Sequence, residues 1–261
     1  MNKQEAISIL KEHNQEHVIK RLEALGDDAA KKLISQVAKI DWKVVESIKD
    51  KAEDKGDAKK IEPLAAVEIN DIKKNKEKYT AKGVEAIKNG KVAAVLLAGG
   101  QGTRLGLDKP KGTLNVGVNK DLFLFGQLIH NLMDVVNQTG AWVPLYIMTS
   151  DKNNKDTVEF FEEHNYFGYD KDYVKFFIQS MVPSVDYNGK LYMESTDSLA
   201  MSPNGNGGWF LSLIAAGLDK DMQDKGIEYV NVFAVDNILQ RIADPAFIGA
   251  TILAGAECGS K

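Results

Sequence analysis

The sequence is short of the features that staple a chain or anchor it. One of its 261 residues is cysteine, Cys258, so an internal disulfide is excluded and a reducing, cytoplasmic compartment is expected. No apolar run reaches membrane-spanning length, and no secretory-type apolar segment follows Met1-Asn2-Lys3-Gln4; no membrane partner is expected. Neither sign of charge dominates. Thirty-three Lys and Arg against 37 Asp and Glu leave a formal net charge of −4, which argues against a nucleic-acid partner. There is no internal repeat, and the only biased stretch is the charged, glycine-interrupted run at 49–60, which reads as a surface linker. Nothing in the sequence specifies an oligomeric state. What remains is a chain long enough to bury a large core, as one α/β domain with an appendage or as two smaller domains.

The apolar pattern begins with a helical period. Ile7, Leu10, Val18, Leu22 and Leu25 lie near one stripe, with Gly26 placed to end that helix. Asp27 or Asp28 is placed to cap a second segment carrying Leu33, Ile34 and Val37, and Asp41 a third carrying Trp42, Val45 and Ile48. His13 and His17 have the i, i+4 spacing of a metal pair, but no cysteine or third histidine lies near them and they read as a solvated face. Beyond this region strands alternate with helices. A short helix capped by Thr80 ends at Asn89-Gly90, and strands are expected at 92–98, 143–149, 174–178 and 229–235. Helices are expected from Asp121 to about Gln138, from Ser150 or Asp151 to about Asn165, from Gly207 to Gly217, and after Asp244-Pro245. A hairpin turning at Asn188-Gly189 interrupts the series. Such alternation argues for right-handed crossovers and a mostly parallel open sheet with flanking helices.

The first strand leads into the densest stretch of chemistry. Leu97-Ala98 is followed by Gly99, Gly100 and Gly102, then Arg104 and, after Pro110, Lys111-Gly112. Glycines allow a backbone with φ > 0 and close approach to a ligand, leaving N–H groups free to face an anion, while the two cations add positive charge. The dinucleotide fingerprint fails because Leu105 stands where glycine is needed, and the P-loop fails because Lys111-Gly112 has its residues in the wrong order. A phosphate cradle is one reading and a tight strand-to-helix turn with no ligand the other. In open α/β sheets ligands bind off the carboxyl ends of the strands, where the third strand delivers Gln179 and the fourth Asp236. Asp236 is either a ligand for Mg²⁺ shared with phosphate oxygens or a turn former. Gln179 is either a reader of a base edge or an ordinary strand-end amide. The stretch Asn204-Gly205-Asn206-Gly207-Gly208 is either part of a polar-ligand site or a loop cap.

These stretches together strongly resemble the eukaryotic-type UDP-N-acetylglucosamine pyrophosphorylases and their UDP-sugar pyrophosphorylase relatives. The resemblance rests on Leu97 to Gly106 with Pro110-Lys111-Gly112, on Tyr146-Ile147-Met148-Thr149-Ser150, on Pro203 to Gly208, and on Val235-Asp236-Asn237-Ile238-Leu239 with Ala243-Asp244-Pro245. It implies a nucleotide-diphospho-sugar transferase type of fold that makes a UDP-sugar and pyrophosphate from UTP and a sugar-1-phosphate, with Mg²⁺ as cofactor. The sugar phosphate would be that of N-acetylglucosamine or glucose. The resemblance also implies roles. Leu97, Ala98, Gly99 and Gly100 hold the nucleotide, and Arg104 and Lys111 meet its phosphates as the catalytic cations. Gln179 and Gly205 read the uracil, Asn206 reaches the sugar, and Asp236 is the metal-linked carboxylate. Asn204 stands where many relatives carry aspartate. The expected division is an N-terminal helical region with its linker at 1–78 and a nucleotide-binding α/β domain at 79–261, the latter shortened at its C-terminal side. The alternatives are a nonenzymatic UTP-binding fragment and a nucleotidyltransferase of other base or sugar specificity.

Overall fold

The computed structural model describes residues 1–51 and 66–261, without the side chains of 48–51 and of Arg104. In chain order the elements are α1 Lys3–Glu12, α2 Glu16–Ala24, α3 Asp27–Val37, α4 Trp42–Lys51, α5 Ile69–Lys88 and β1 Val92–Leu97. Then come α6 Leu124–Thr139, β2 Leu145–Thr149, α7 Asn154–Glu163, β3 Val174–Ile178, β4 Met181–Pro183 and β5 Met201–Pro203. The last are α8 Trp209–Ala215, α9 Leu218–Asp224, β6 Tyr229–Ala234 and α10 Pro245–Leu253. Of the charged run at 49–60, residues 49–51 end α4 and the rest lie outside the described residues. No helix among the described residues is long and apolar enough to cross a membrane.

The chain forms two compact units that do not follow a contiguous division at residue 78. One holds the described residues of Met1–Leu64 with Met181–Asn204; the other holds those of Ala65–Ser180 with Gly205–Lys261. α5 therefore goes with the sheet, and the β4–β5 ribbon goes with the N-terminal helices.

In the first unit the apolar stripes of α1 to α4 bury Leu10, Val18, Leu22, Leu33, Val37 and Val45, and the ribbon adds Leu191 and Leu199 to the same core. Buried Gln15 ties the two segments, donating to the Gly189 carbonyl at 2.8 Å and accepting from the Leu191 N–H at 3.0 Å. Three expectations change here. The stripe expected as one helix breaks between α1 and α2, where Asn14 takes φ 57°. Gly26 does not close α2; it is the extended N-cap of α3, and Asp27 and Asp28 occupy the first turn, where their charge suits the helix dipole. Of the two histidines His13 packs, while His17 is exposed as expected. His13 stacks on Trp42 at 4.0 Å and meets Glu46, while His17 reaches the Leu191 carbonyl at 2.7 Å.

In the second unit β1, β2, β3 and β6 form a parallel sheet in the order β3-β2-β1-β6. β1 and β2 are buried along nearly their whole length because helices cover both faces, which explains their unbroken apolar sequences. α5 begins at Ile69, ahead of the expected cap at Thr80, and crosses α10 at a contact that only glycine permits. A Cβ on Gly83 would lie 1.9 Å from the Pro245 oxygen, and one on Gly249 would lie 1.8 Å from the Tyr79 oxygen. On the opposite face α9 carries Asp221, which accepts from the Tyr146 hydroxyl (2.6 Å), Lys175 (2.6 Å) and Lys225 (2.5 Å). Burial acts to raise the Asp221 carboxyl, but these three donors outweigh it and hold it well below the usual carboxylate range.

Candidate functional site

β1 is the strand at which the order of the sheet reverses. β2 and β3 lie to one side of it and β6 to the other, so the carboxyl end of β1 is the crevice where an open α/β sheet accepts a ligand. The chain leaves β1 still paired, with the Ala98 N–H donating to the Met148 carbonyl at 2.8 Å, and then enters the glycine loop. The loop uses Gly99 and Gly102 for room rather than for positive φ. Of the loop glycines only Gly106, at φ 72°, is left-handed. A Cβ on Gly99 would come within 2.7 Å of Gln179 Oε1, and one on Gly102 within 2.7 Å of Leu107.

Gln179 is set by its own backbone, whose N–H continues the β2–β3 ladder to the Thr149 carbonyl at 2.8 Å. Its side chain is then carried across the end of β2 onto Gly99. The residue is 5 % exposed, and its carboxamide hydrogen-bonds to none of the described residues. The one buried side-chain polar atom without a partner among the described residues is the Thr157 hydroxyl; the Gln179 carboxamide stands at the strand end with both a donor and an acceptor to offer a ligand.

The loop is held from behind by a residue that the sequence pattern did not single out. Asn153 is fully buried, and its Nδ2 donates to the Ala98 carbonyl at 3.0 Å and to the Gly100 carbonyl at 3.3 Å. Its Oδ1 accepts the Ser150 N–H at 2.7 Å. The Gly100 carbonyl also accepts the Lys111 N–H at 3.3 Å, which brings the second cationic turn against the first. Gly112 seats that turn on α6, since a Cβ there would penetrate the Phe125 ring. Lys111 Nζ in turn pairs with Asp236 Oδ1, joining the loop after β1 to the end of β6. The backbone N–H groups of Gly99, Gly100 and Gln101 meet no acceptor among the described residues.

The expected residues thus divide. Ala98, Gly99, Gly100, Lys111, Gln179 and Asp236 form one connected set, with half-buried Leu97 ending β1 behind them. Gly205, at a positive φ of 76° that favours glycine, opens a single turn at Asn206–Gly208. That turn is tied to the end of β3 through Ser212, whose Oγ donates to the Gly208 carbonyl at 2.9 Å and accepts the Ser180 N–H at 2.9 Å. Asn206 is exposed, and its side chain touches none of the others. The Arg104 side chain lies outside the described residues. Asn153 and Ser212 escaped the sequence reading because each carried a local signal of another kind. Asn153 looks like part of a helix start, and Ser212 sits inside an apolar helix.

No group of three or more His, Cys, Asp or Glu side chains gathers anywhere among the described residues. Asp236 is exposed and pairs through Oδ1, with Oδ2 unengaged among the described residues; that fits Mg²⁺, which takes one or two carboxylates and fills its remaining positions with phosphate oxygens and water. Clefts of about 480 and 450 Å³ in the same unit are lined by the β6 edge and by α6, without the glycine loop, Lys111 or Gln179.

A family model described as UTP–glucose-1-phosphate uridylyltransferase matches residues 34–261, most of the chain and every residue of this site. The chain belongs to that uridylyltransferase family. Its similarity to individual family members is extensive. It is 36 % identical over 261 residues to the UDP-N-acetylglucosamine pyrophosphorylase of Saccharomyces cerevisiae, an alignment covering 97 % of this chain and 54 % of that protein. It is 34 % identical over 271 residues to the UDP-N-acetylhexosamine pyrophosphorylase-like protein 1 of Mus musculus, covering 97 % and 54 %. The crystal structure of the uridine diphosphate N-acetylglucosamine pyrophosphorylase from Trypanosoma brucei in complex with inhibitor superposes with a TM-score of 0.78. There the identity is 30 %, over 98 % of this chain and 56 % of that one. The chain spans about half the length of the curated relatives it matches.

Proposed function

We propose that this uridylyltransferase-family chain binds UTP at the carboxyl end of β1 and serves uridylyl transfer to a sugar-1-phosphate, releasing pyrophosphate. The observation that carries the reading is that a donor–acceptor carboxamide and a set of N–H groups without acceptors meet at one place. The buried Gln179 carboxamide lies on Gly99, while the free N–H groups of Gly99, Gly100 and Gln101 lie beside the Lys111 cation. A carboxamide both donates and accepts, which matches the imide edge of uracil, and the amides with Lys111 match phosphate.

Uridylyl transfer is an in-line displacement at the α-phosphorus and needs no covalent enzyme intermediate, so the protein's work is positioning and charge neutralisation. Gln179 and Gly205 fix the base, with the Gly99 backbone close enough to the ligand because it lacks a Cβ. Lys111 exchanges its Asp236 partner for the phosphates and offsets their charge, with Arg104 as a second cation. Asn206, exposed at the turn after Gly205, is assigned to the sugar. Asp236 would hold Mg²⁺, which when bound would supply Lewis-acid charge neutralisation at the phosphates. The relatives' names divide between glucose and N-acetylhexosamine, and N-acetylglucosamine-1-phosphate is the sugar substrate we favour, because the yeast and trypanosomal relatives are named for it. The single exposed thiol, Cys258, suits the reducing cytoplasm in which we place the protein.

Pyrophosphate release measured with each nucleoside triphosphate against each sugar-1-phosphate tests the reading. UTP dependence with either N-acetylglucosamine-1-phosphate or glucose-1-phosphate supports it. A preference for another base refutes the uracil assignment, and UTP binding without turnover makes the chain a binding module alone.

A further inference from the structure

The mechanism above leaves the fully buried Asn153 side chain unused. Asn153 stands at the N-cap position of α7, where asparagine ordinarily accepts a hydrogen bond from the first turn of its own helix, yet its side chain makes no such bond. It turns back instead and donates to two carbonyls of the glycine loop, those of Ala98 and Gly100. Both peptides following these carbonyls are trans. In a planar trans peptide the carbonyl and the next N–H point in opposite directions. Fixing the Ala98 and Gly100 carbonyls on Asn153 therefore aims the N–H groups of Gly99 and Gln101 away from it, side by side, and both lack an acceptor. Gly100, the residue between them, is exposed, so the two amides flank a part of the loop that solvent or a ligand can reach.

We infer that Asn153 is a positioning residue for the nucleotide, holding the Gly99 and Gln101 amides as a paired cradle for phosphate oxygens. The inference rests on the phosphate reading of the loop given above and adds to it the residue that orients the loop and the second amide, Gln101. Asn153 also settles Lys111, because the Gly100 carbonyl it grips is the acceptor of the Lys111 N–H. Its Oδ1 meanwhile closes the turn between β2 and α7 by accepting the Ser150 N–H, so all three bonds of this fully buried carboxamide go to backbone.

The test uses amide spectra of the intact chain titrated with inorganic pyrophosphate, UTP and uridine. In the wild-type chain pyrophosphate and UTP shift the Gly99 and Gln101 amides. Asn153→Asp keeps the size of the side chain but turns an oxygen toward two carbonyls, and it should bind both probes at least tenfold more weakly while uridine binding is unchanged. Unshifted Gly99 and Gln101 amides in a wild-type chain that binds the probes, or wild-type affinities in Asn153→Asp, overturn the inference, as does an equal loss for uridine, which marks a merely structural asparagine. Should the variant fail to fold, the wild-type shifts alone decide. Pyrophosphate binding with these shifts but no preference for UTP leaves the inference standing and removes the uridylyl reading. A wild-type chain that binds neither probe overturns both.

Discussion

Gly99→Ala separates base recognition from folding more cleanly than any other single change. Gly99 is not left-handed, so alanine is conformationally allowed there. The new methyl would nevertheless sit 2.7 Å from Gln179 Oε1, about 0.7 Å inside ordinary van der Waals contact, with the Thr149 carbonyl at 3.6 Å and nearly comfortable. The atom that must yield is the end of a side chain rather than backbone, so the sheet persists and the carboxamide moves. Displacing it removes its hydrogen bonds to the base, each worth about 0.5–1.5 kcal/mol, or about 1–3 kcal/mol where a buried partner is left unpaired. The preference for UTP over CTP and ATP should therefore shrink by roughly 5- to 100-fold. Thermal unfolding should change by less than about 1 kcal/mol, the lower end of the range for overpacking. Competition binding with the three triphosphates, alongside a melting curve, provides the assay. An unaltered base preference in a folded Gly99→Ala chain would refute the placement of Gln179 at the base.

Other perturbations reach other parts of the account. Lys111→Ala deletes a charge-assisted contact worth about 1.5–3 kcal/mol, so titration calorimetry should show at least about tenfold weaker UTP binding with uridine unaffected. Asp221→Asn breaks the contacts with Tyr146, Lys175 and Lys225 away from the site; denaturant unfolding at neutral pH should report a loss of about 1.5–3 kcal/mol. Because the folded carboxyl is held below its ordinary value of 3.8, its contribution is complete above that pH and disappears as the pH falls through the folded value. The stability gap between the two chains should thus be flat near neutrality and close in strong acid. Gly249→Ala forces a methyl onto the Tyr79 carbonyl, backbone that cannot step aside; melting should report a loss of at least about 1–3 kcal/mol.

Much of this arrangement was legible in the residues because it follows from short-range chemistry. The apolar runs at 92–97 and 145–149 could only be buried strands, and Asp244-Pro245 caps α10 as its residue types require. Gln179 and Asp236 were visible as polar residues ending such strands. Less legible was whatever depends on partners distant in sequence. The hairpin at Asn188-Gly189 declares its turn but not that its core partners are the N-terminal helices, since the contact joins Gln15 to Gly189 and Leu191. Histidines at i, i+4 suggest a solvated face, and His17 is exposed, but His13 stacks on Trp42 from another helix. The glycines at 99 and 102 read as conformational freedom, whereas what they supply is space for Gln179 and Leu107. Asn153 had a ready local explanation as a helix start, which concealed its two bonds to the loop.

The central claim is that the end of β1 binds a uridine nucleotide through base and phosphate together. Calorimetric titration of the wild-type chain with UTP, CTP, ATP and uridine, with and without Mg²⁺, tests it directly. The account predicts one site that prefers UTP over the other triphosphates and loses most of its affinity when the phosphates are removed. Equal affinity for all three triphosphates, or for UTP and uridine, would contradict it.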